Sequence, residues 1–108
     1  MTQTETKWSE DEKQIAKEAL KKAHKREIQM IMEYVKESAD KASQIQDVWA
    51  LHDFLSARRH DIDGKYDDRE SFLLFTLSKL LKDRLLDPAE LEGLAADKRA
   101  KISLLVRM

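Results

Sequence analysis

Apolar residues recur at steps of three and four along the first half of the chain, the spacing of one face of an α-helix. Ser9 and Glu12 predict where this helix begins, because each side chain can bond a free amide of the first turn. No glycine or proline interrupts the pattern before about Gln46. The sequence therefore predicts a stem helix over about 9–46, whose thin stripe favours a seam with another helix. The stripe contains Ala16, Leu20, Ala23, Met30, Ile31, Tyr34, Val35, Ala42 and Ile45.

A second helical segment is predicted between Asp47 and Gly64. Asp47 is expected to cap its start, and Gly64 is expected to end it in the left-handed conformation. Its apolar positions share one face: Val48, Leu51, Phe54, Leu55 and Ile62. The pattern leaves open whether this segment continues the first helix or is separated from it by a bend near 43–46.

Two more helices are predicted towards the C-terminus. Asp67 and Glu70 have the spacing of a capping box for a core helix that runs to Leu86. The run 87–90, Asp-Pro-Ala-Glu, predicts the start of a last helix. The expected core positions of these two helices are Phe72, Leu73, Leu74, Phe75, Leu77, Leu80, Leu81, Leu85, Leu91, Leu94, Ala95, Ile102 and Leu105.

Composition agrees with an all-α fold. The chain of 108 residues contains two glycines and one proline, far fewer than average usage would give. We expect a single helical domain over 1–108, with a stem at about 9–46 and a signature helix and small head at about 47–108. Because each helix of an extended arrangement covers only one neighbour, we also expect an oligomer.

Charge and cysteine content narrow the possible functions. The 20 basic and 21 acidic side chains nearly cancel, and cysteine is absent, which removes thiolate catalysis and Cys-ligated metals. A lysine-rich strip near the start is diluted by acidic residues, so we expect no nucleic-acid partner. No apolar run could span a membrane, and Met1–Glu5 does not resemble the start of a signal peptide. We therefore expect a cytoplasmic protein that does not insert into membranes.

The second segment carries the densest group of recognition side chains. Trp49, Asp53, Ser56 and His60 gather beside the apolar face on a strip about three turns long, and His52 and Arg59 lie at the border of the two. Trp and Arg are frequent anchors of protein interfaces. The alternative is ordinary surface pairing along one helix. His52, Asp53 and Ser56 do not predict a catalytic triad, because adjacent helical residues point about 100° apart.

Metal sites and cofactors are not expected. The run 59–70 has calcium-loop spacing in part, but Arg59 occupies the position where the first carboxylate ligand belongs. The chain contains no His-Glu-x-x-His motif and no glycine-rich phosphate loop. We predict no cofactor, no metal and no enzymatic activity.

The block Asp47–Arg69, which reads DVWALHDFLSARRHDIDGKYDDR, closely resembles the signature of the fluorescence recovery protein family of cyanobacteria and their relatives. Trp8-Ser9 and the run 94–98, Leu-Ala-Ala-Asp-Lys, add to the resemblance. Val48 and Asp61 stand where many relatives have Leu and Glu.

The resemblance implies a homodimer that binds the orange carotenoid protein, mainly through that partner's C-terminal domain. It implies acceleration of the partner's red-to-orange reversion, which ends the quenching of phycobilisome fluorescence. The family's functional residues map onto Trp49, His52, Asp53 and Arg59, with Phe75 and Lys101 of the head as further candidate contacts. We expect the dimer interface to include Tyr34, Val48, Trp49, Leu51 and Leu55.

The sequence leaves open the role of Trp49 and Arg59 and the identity of the partner. Trp49 and Arg59 could contact the partner directly or act by holding the dimer together. The alternative function is a helical homodimer of the same fold that serves as an adaptor for a different protein. In either case we expect a cytoplasmic location, and the first function adds association with the cytoplasmic face of the thylakoid membrane through the phycobilisome.

Overall fold

The computed structural model describes residues 7–108, so the Met1–Glu5 segment lies outside the described residues. Within 7–108 the fold is all-α, as predicted, with helices and no strands. The elements in chain order are α1 (Glu10–Lys41), α2 (Ile45–Asp63), α3 (Glu70–Lys82), a short 3-10 helix (Pro88–Leu91) and α4 (Ala96–Arg107). No helix among these residues is long and apolar enough to cross a membrane.

The start of α1 is as predicted, but its end is not. The Ser9 amide donates to the Glu12 carboxylate at 3.0 Å, and the Glu12 amide donates to the Ser9 hydroxyl at 3.1 Å. The helix ends at Lys41 rather than near Gln46, and Ala42 is extended. Residues 10–63 therefore form two helices, α1 and α2, which are joined by a break at 42–44 rather than continuous.

Asp47 explains why a new helix begins after the break. Its carboxylate accepts the backbone amides of Ser43 at 2.9 Å and Gln44 at 3.1 Å, which satisfies donors that a helix start leaves free. These bonds lower the pKa of Asp47 from its ordinary value. Asp47 thus caps α2 from its third position, with Gln44 as the capping residue, rather than standing at the cap itself.

Gly64 ends α2 as predicted, but its φ of −114° is not left-handed. The left-handed residue is Arg84, with φ 63°. It ends α3 in a Schellman motif, in which the Leu85 amide donates to the Leu80 carbonyl and the Arg84 amide to the Leu81 carbonyl. This motif stops α3 at Lys82, short of the predicted Leu86.

The predicted capping box at the start of α3 is wrong. Asp67 bonds the backbone amide and the guanidinium of Arg69, both at 3.0 Å, and Arg69 is the capping residue. Arg69 therefore binds the Asp67 carboxylate, which the predicted capping box would have bonded to the Glu70 amide.

The predicted last helix is divided in two. Asp87 and Glu90 form their capping box, but it opens only the 3-10 helix. The chain then turns at Gly93, where an added Cβ would clash with the Ile15 side chain. This close approach to α1 separates the 3-10 helix from α4.

The hydrophobic core lies at one end of the molecule, which we call the head: the N-terminal half of α1, α3, the 3-10 helix and α4. The buried apolar residues of the described chain all belong to it or to the segments beside it: Trp8, Ala16, Ala19, Leu20, Ala23, Leu73, Leu77, Leu80, Leu85, Leu86, Leu91, Leu94 and Ile102. Phe72 and Phe75 were expected in this core, yet they are 44% and 60% exposed. Ala95 is also exposed, and Leu105 is half-buried. Phe72 and Phe75 stay exposed because helices pack on only part of the circumference of α3. Ala95 lies outside the core because it is the capping residue before α4.

A buried ion pair ties the two ends of the head together. The Lys98 ammonium lies 2.9 Å from the Glu12 carboxylate, and both side chains are about nine-tenths buried. The other carboxylate oxygen accepts the Ala95 amide at 2.9 Å. Hydrogen bonds from the Ser9 and Ala95 amides, with Lys98, hold the pKa of Glu12 at about 2.

The other end of the molecule is a helical hairpin, which we call the stem: the C-terminal half of α1 with α2. Tyr34 meets Phe54 near one end and Glu27 meets Lys65 near the other, so the two helices run antiparallel. The molecule measures 58 × 28 × 24 Å and has a radius of gyration of 17.1 Å, against about 13 Å for a compact chain of this length. The stem therefore projects from the head.

Candidate interaction surface

The helix α2 has one half-buried side. Leu51, Phe54, Arg58 and Ile62 face α1 and are half-buried. The Phe54 ring lies 4.2 Å from the Tyr34 ring, and the Arg58 guanidinium lies 5.9 Å from the Phe54 ring centre. These contacts are shallow, since none of the residues of α2 is buried.

The opposite side of α2 is open to solvent and rich in apolar area. We call it the outer face of α2, and it consists of Ile45, Val48, Trp49, His52, Leu55, Ser56 and Arg59, with Asp53 at its edge. Trp49 is 59% exposed and Ile45 is 56% exposed. Exposed large apolar residues that share one face of a helix mark an interaction surface.

Polar groups accompany the apolar residues on this face. The His52 ring nitrogen lies 3.4 Å from the Asp53 carboxylate, and both side chains are more than two-thirds exposed. Arg59 is exposed as well. The wide spacing and high exposure of these groups fit recognition of another surface better than proton transfer, which needs short, aligned contacts.

The structure therefore places the four predicted partner residues of α2 on one surface. Three of the predicted dimer residues, Val48, Trp49 and Leu55, lie on the same outer face. Leu51 instead turns towards α1. Tyr34 belongs to α1, where it packs on Phe54 and stays 47% exposed.

The two predicted contacts of the head lie apart from this face. Phe75 projects from α3 and is 60% exposed, while Lys101 is exposed on α4. Beside Phe75, the Arg69 guanidinium lies 4.5 Å from the centre of the Phe72 ring. Sequence reasoning missed Arg69 and Phe72 as surface residues. The spacing of Phe72 and Phe75, one helical turn apart, was the available signal that both leave the core together.

The outer face of α2 carries no metal cluster. Among residues 7–108 no three His, Asp or Glu side chains converge to hold a metal ion. A groove lies elsewhere, between the head half of α1 and the segment before α3. Its lining includes Lys13, Lys17, Tyr66 and Arg69.

The structure defines the class as an all-α protein with a small helical head and a projecting stem, whose exposed, apolar and charged helix face is typical of surfaces that contact other proteins. Residues 8–106 match the family model described as photoprotection regulator fluorescence recovery protein. The chain belongs to this family.

Individual relatives agree with the family match. The chain is 49% identical over 109 residues to the fluorescence recovery protein of Synechocystis sp. PCC 6803, and the match covers all of both chains. The solved structure of that protein superposes with a TM-score of 0.92 at 48% identity, over 94% of this chain and all of that one. The structure of the Fremyella diplosiphon fluorescence recovery protein gives a TM-score of 0.91 at 45% identity with the same coverage.

Proposed function

We propose that this chain is a non-enzymatic regulator that binds the orange carotenoid protein, mainly through that protein's C-terminal domain, and accelerates its return from the red state to the orange state. This reversion would end the quenching of phycobilisome fluorescence. Membership of a family of photoprotection regulators supports the proposal. The structural observation that carries it is the outer face of α2, which leaves Trp49 59% exposed with Asp53 and Arg59 beside it.

The residues on the outer face of α2 and those on the head have different roles in this proposal. Trp49 and Phe75 supply apolar contact area, because aromatic side chains dominate the energy of protein interfaces. Asp53 and Arg59 set the orientation of the partner through charge-assisted hydrogen bonds. Lys101 contributes charge that steers the encounter.

Acceleration requires more than tight binding. A protein that catalyses the docking of two domains must bind the barrier state more strongly than the open red state. We infer that it holds the exposed C-terminal domain and orients the other domain for redocking. It then dissociates, because the compact orange form covers the binding site.

We also propose that the protein works as a homodimer joined along the stem. The outer face of α2 leaves Ile45 and Val48 56% and 47% exposed, and a stable interface requires about 800 Å² from each partner. A second stem packed along the Val48 and Leu55 side of this face would cover apolar residues that a monomer leaves in water, and it would leave Trp49 and Asp53 on the other side open to the partner. We place this dimer in the cytoplasm, at the cytoplasmic face of the thylakoid membrane through the phycobilisome system.

The test is to mix the purified protein with light-activated carotenoid protein in the dark and to follow the visible absorbance. We expect faster return to the orange spectrum than without the protein, and a slower return when Trp49→Ala replaces the native chain. The matched control is Lys17→Ala, which truncates an exposed side chain on the head half of α1 and should leave the rate unchanged. If the folded dimer gives no acceleration, the proposal is wrong and an adaptor role for a different protein takes its place.

A further inference from the structure

A group of charged and polar side chains, buried at Lys65 and Glu27 and partly exposed at Asp83, joins the stem to the head. The Lys65 ammonium lies 3.0 Å from the Glu27 carboxylate of α1 and 3.2 Å from the Asp83 carboxylate at the end of α3. The Tyr66 hydroxyl donates to the other Glu27 oxygen at 2.6 Å. The side chains of Lys65 and Glu27 are each 9% exposed. We call these four residues the joint.

The joint connects three separate parts of the fold. Glu27 lies in the middle of α1, which runs through both stem and head. Lys65 and Tyr66 follow directly after α2, and Asp83 belongs to the head. The His24 ring packs edge-on against the Tyr66 ring at 5.1 Å, so an aromatic contact adds to the hydrogen bonds on the α1 side.

Within one protomer, little else fixes the position of α2. Its contacts with α1 are shallow, and it contributes no buried residue to the core. The break at 42–44 connects its other end to α1. A helix held so lightly along its length takes its direction from its ends, and the joint is the better-anchored end. Buried charged hydrogen bonds are directional, which favours one arrangement over its neighbours.

We propose that Lys65 and Tyr66 are positioning residues, whose bonds to Glu27 and Asp83 fix the angle between α2 and the head. These bonds keep the outer face of α2 and Phe75 at a fixed relative position. In that position a single partner molecule can contact both surfaces at once. This inference rests on the proposed function for its partner. Two surfaces that bind the same molecule together gain affinity only when their geometry permits simultaneous engagement.

The first test needs no partner. The chain has no cysteine, so spin labels can be placed at Ala57→Cys on α2 and Ser103→Cys on α4, both exposed positions. Mixing with excess unlabelled chain leaves at most one labelled protomer in an assembly. Pulsed electron paramagnetic resonance then reports the distance between α2 and the head.

We expect one narrow distance distribution for the native joint. Lys65→Met should broaden or displace it, because the buried Glu27 loses its cation. Tyr66→Phe removes a single hydroxyl, keeps the ring against His24, and should broaden it less. Lys65→Arg restores the charge and should restore the narrow distribution. Ser78→Ala is the matched control, since it removes a buried hydrogen bond within α3 without touching the joint.

The second test measures recovery of the carotenoid protein. We expect Lys65→Met to raise the half-saturating concentration about tenfold, because a mobile joint weakens simultaneous contact at two surfaces. Ser78→Ala should leave it unchanged.

Unchanged distance distributions in both Lys65→Met and Tyr66→Phe would overturn the inference. Broadened distributions with native half-saturation would overturn the positioning role. Failure of the native protein to accelerate recovery would instead count against the proposed function, and the two failures are therefore distinguishable.

Discussion

Replacing Trp49 by alanine should weaken association without unfolding the protomer. Its indole is 59% exposed, so truncation removes little intramolecular packing, and the stability of the isolated protomer should change by about 0.5 kcal/mol or less. A tryptophan side chain offers roughly 200 Å² of surface. Roughly 120 Å² of it is therefore free to contact another molecule. At about 25 cal/mol per Å², this area corresponds to about 3 kcal/mol.

This free energy of about 3 kcal/mol predicts different outcomes for the two possible roles of Trp49, in the partner contact and in the dimer interface. If the indole contacts the carotenoid protein, the affinity for that partner falls about 150-fold and the dimer mass is unchanged. If it lies in the dimer seam, two copies are lost from a symmetric interface. The dimer is then weakened by about 6 kcal/mol, and monomers appear at micromolar concentration.

Sedimentation measures the mass of the assembly, and recovery of the orange spectrum measures the function. Both are followed over a range of protein concentrations, with Trp49→Phe as the conservative variant that retains most of the aromatic contact. Far-UV circular dichroism in urea confirms that the alanine variant folds. A stable dimer whose half-saturating concentration rises less than about threefold would refute the reasoning. Removing roughly 120 Å² of buried indole surface should cost about 3 kcal/mol, which is far more than a threefold change.

Three further predictions concern the head. Lys98→Met leaves the buried Glu12 carboxylate without its cation and should cost about 3–5 kcal/mol in urea unfolding; a loss below about 1 kcal/mol would contradict the assigned burial. Because the pKa of Glu12 is lowered from 4.5 to about 2, its contribution is complete above pH 4.5 and is lost as the pH falls towards 2. Urea titrations from pH 7 to 2 check this, and stability that is flat below pH 4.5 would speak against it. Gly93→Ala pushes a Cβ against Ile15 and should cost about 1–3 kcal/mol, whereas Gly64→Ala, with open space around the site, should change the melting temperature little.

Local signals made some helix boundaries predictable. Ser9 and Glu12 satisfy each other within one turn, so their pairing does not depend on the rest of the fold. Asp67 had the same spacing to Glu70, yet the nearby Arg69 competes for its carboxylate with a charged, bidentate contact. Spacing alone does not decide whether Asp67 accepts from the Glu70 amide or from Arg69. Arg84 gave no signal either, because left-handed helix ends usually carry glycine.

The sequence predicted only part of the candidate interaction surface. The period of 3.6 residues correctly grouped Leu51, Phe54 and Ile62, because it depends only on helix geometry. It could not say how much of the apolar face α1 would cover, and Val48 and Leu55, which were expected on that same face, lie on the open side instead. Phe72 and Phe75 show the same limit, since an apolar side chain is buried only where a neighbouring element exists to cover it.

The bond between Glu12 and Lys98 joins residues 86 positions apart, and this has a consequence for synthesis of the chain. Chains emerge from the ribosome N-terminus first, so α1 is released long before α4. Its alanine-rich inner side packs against α3 and the 3-10 helix, so it lacks its permanent cover until most of the chain has been added. Long-range contacts of this kind also slow folding, because a large loop must close before they form. The stem hairpin closes over a much shorter stretch and is free to form earlier. A nascent chain would therefore present the open face of α2 before it has a finished head. If stems pair as proposed, premature pairing is a hazard that the fold must tolerate.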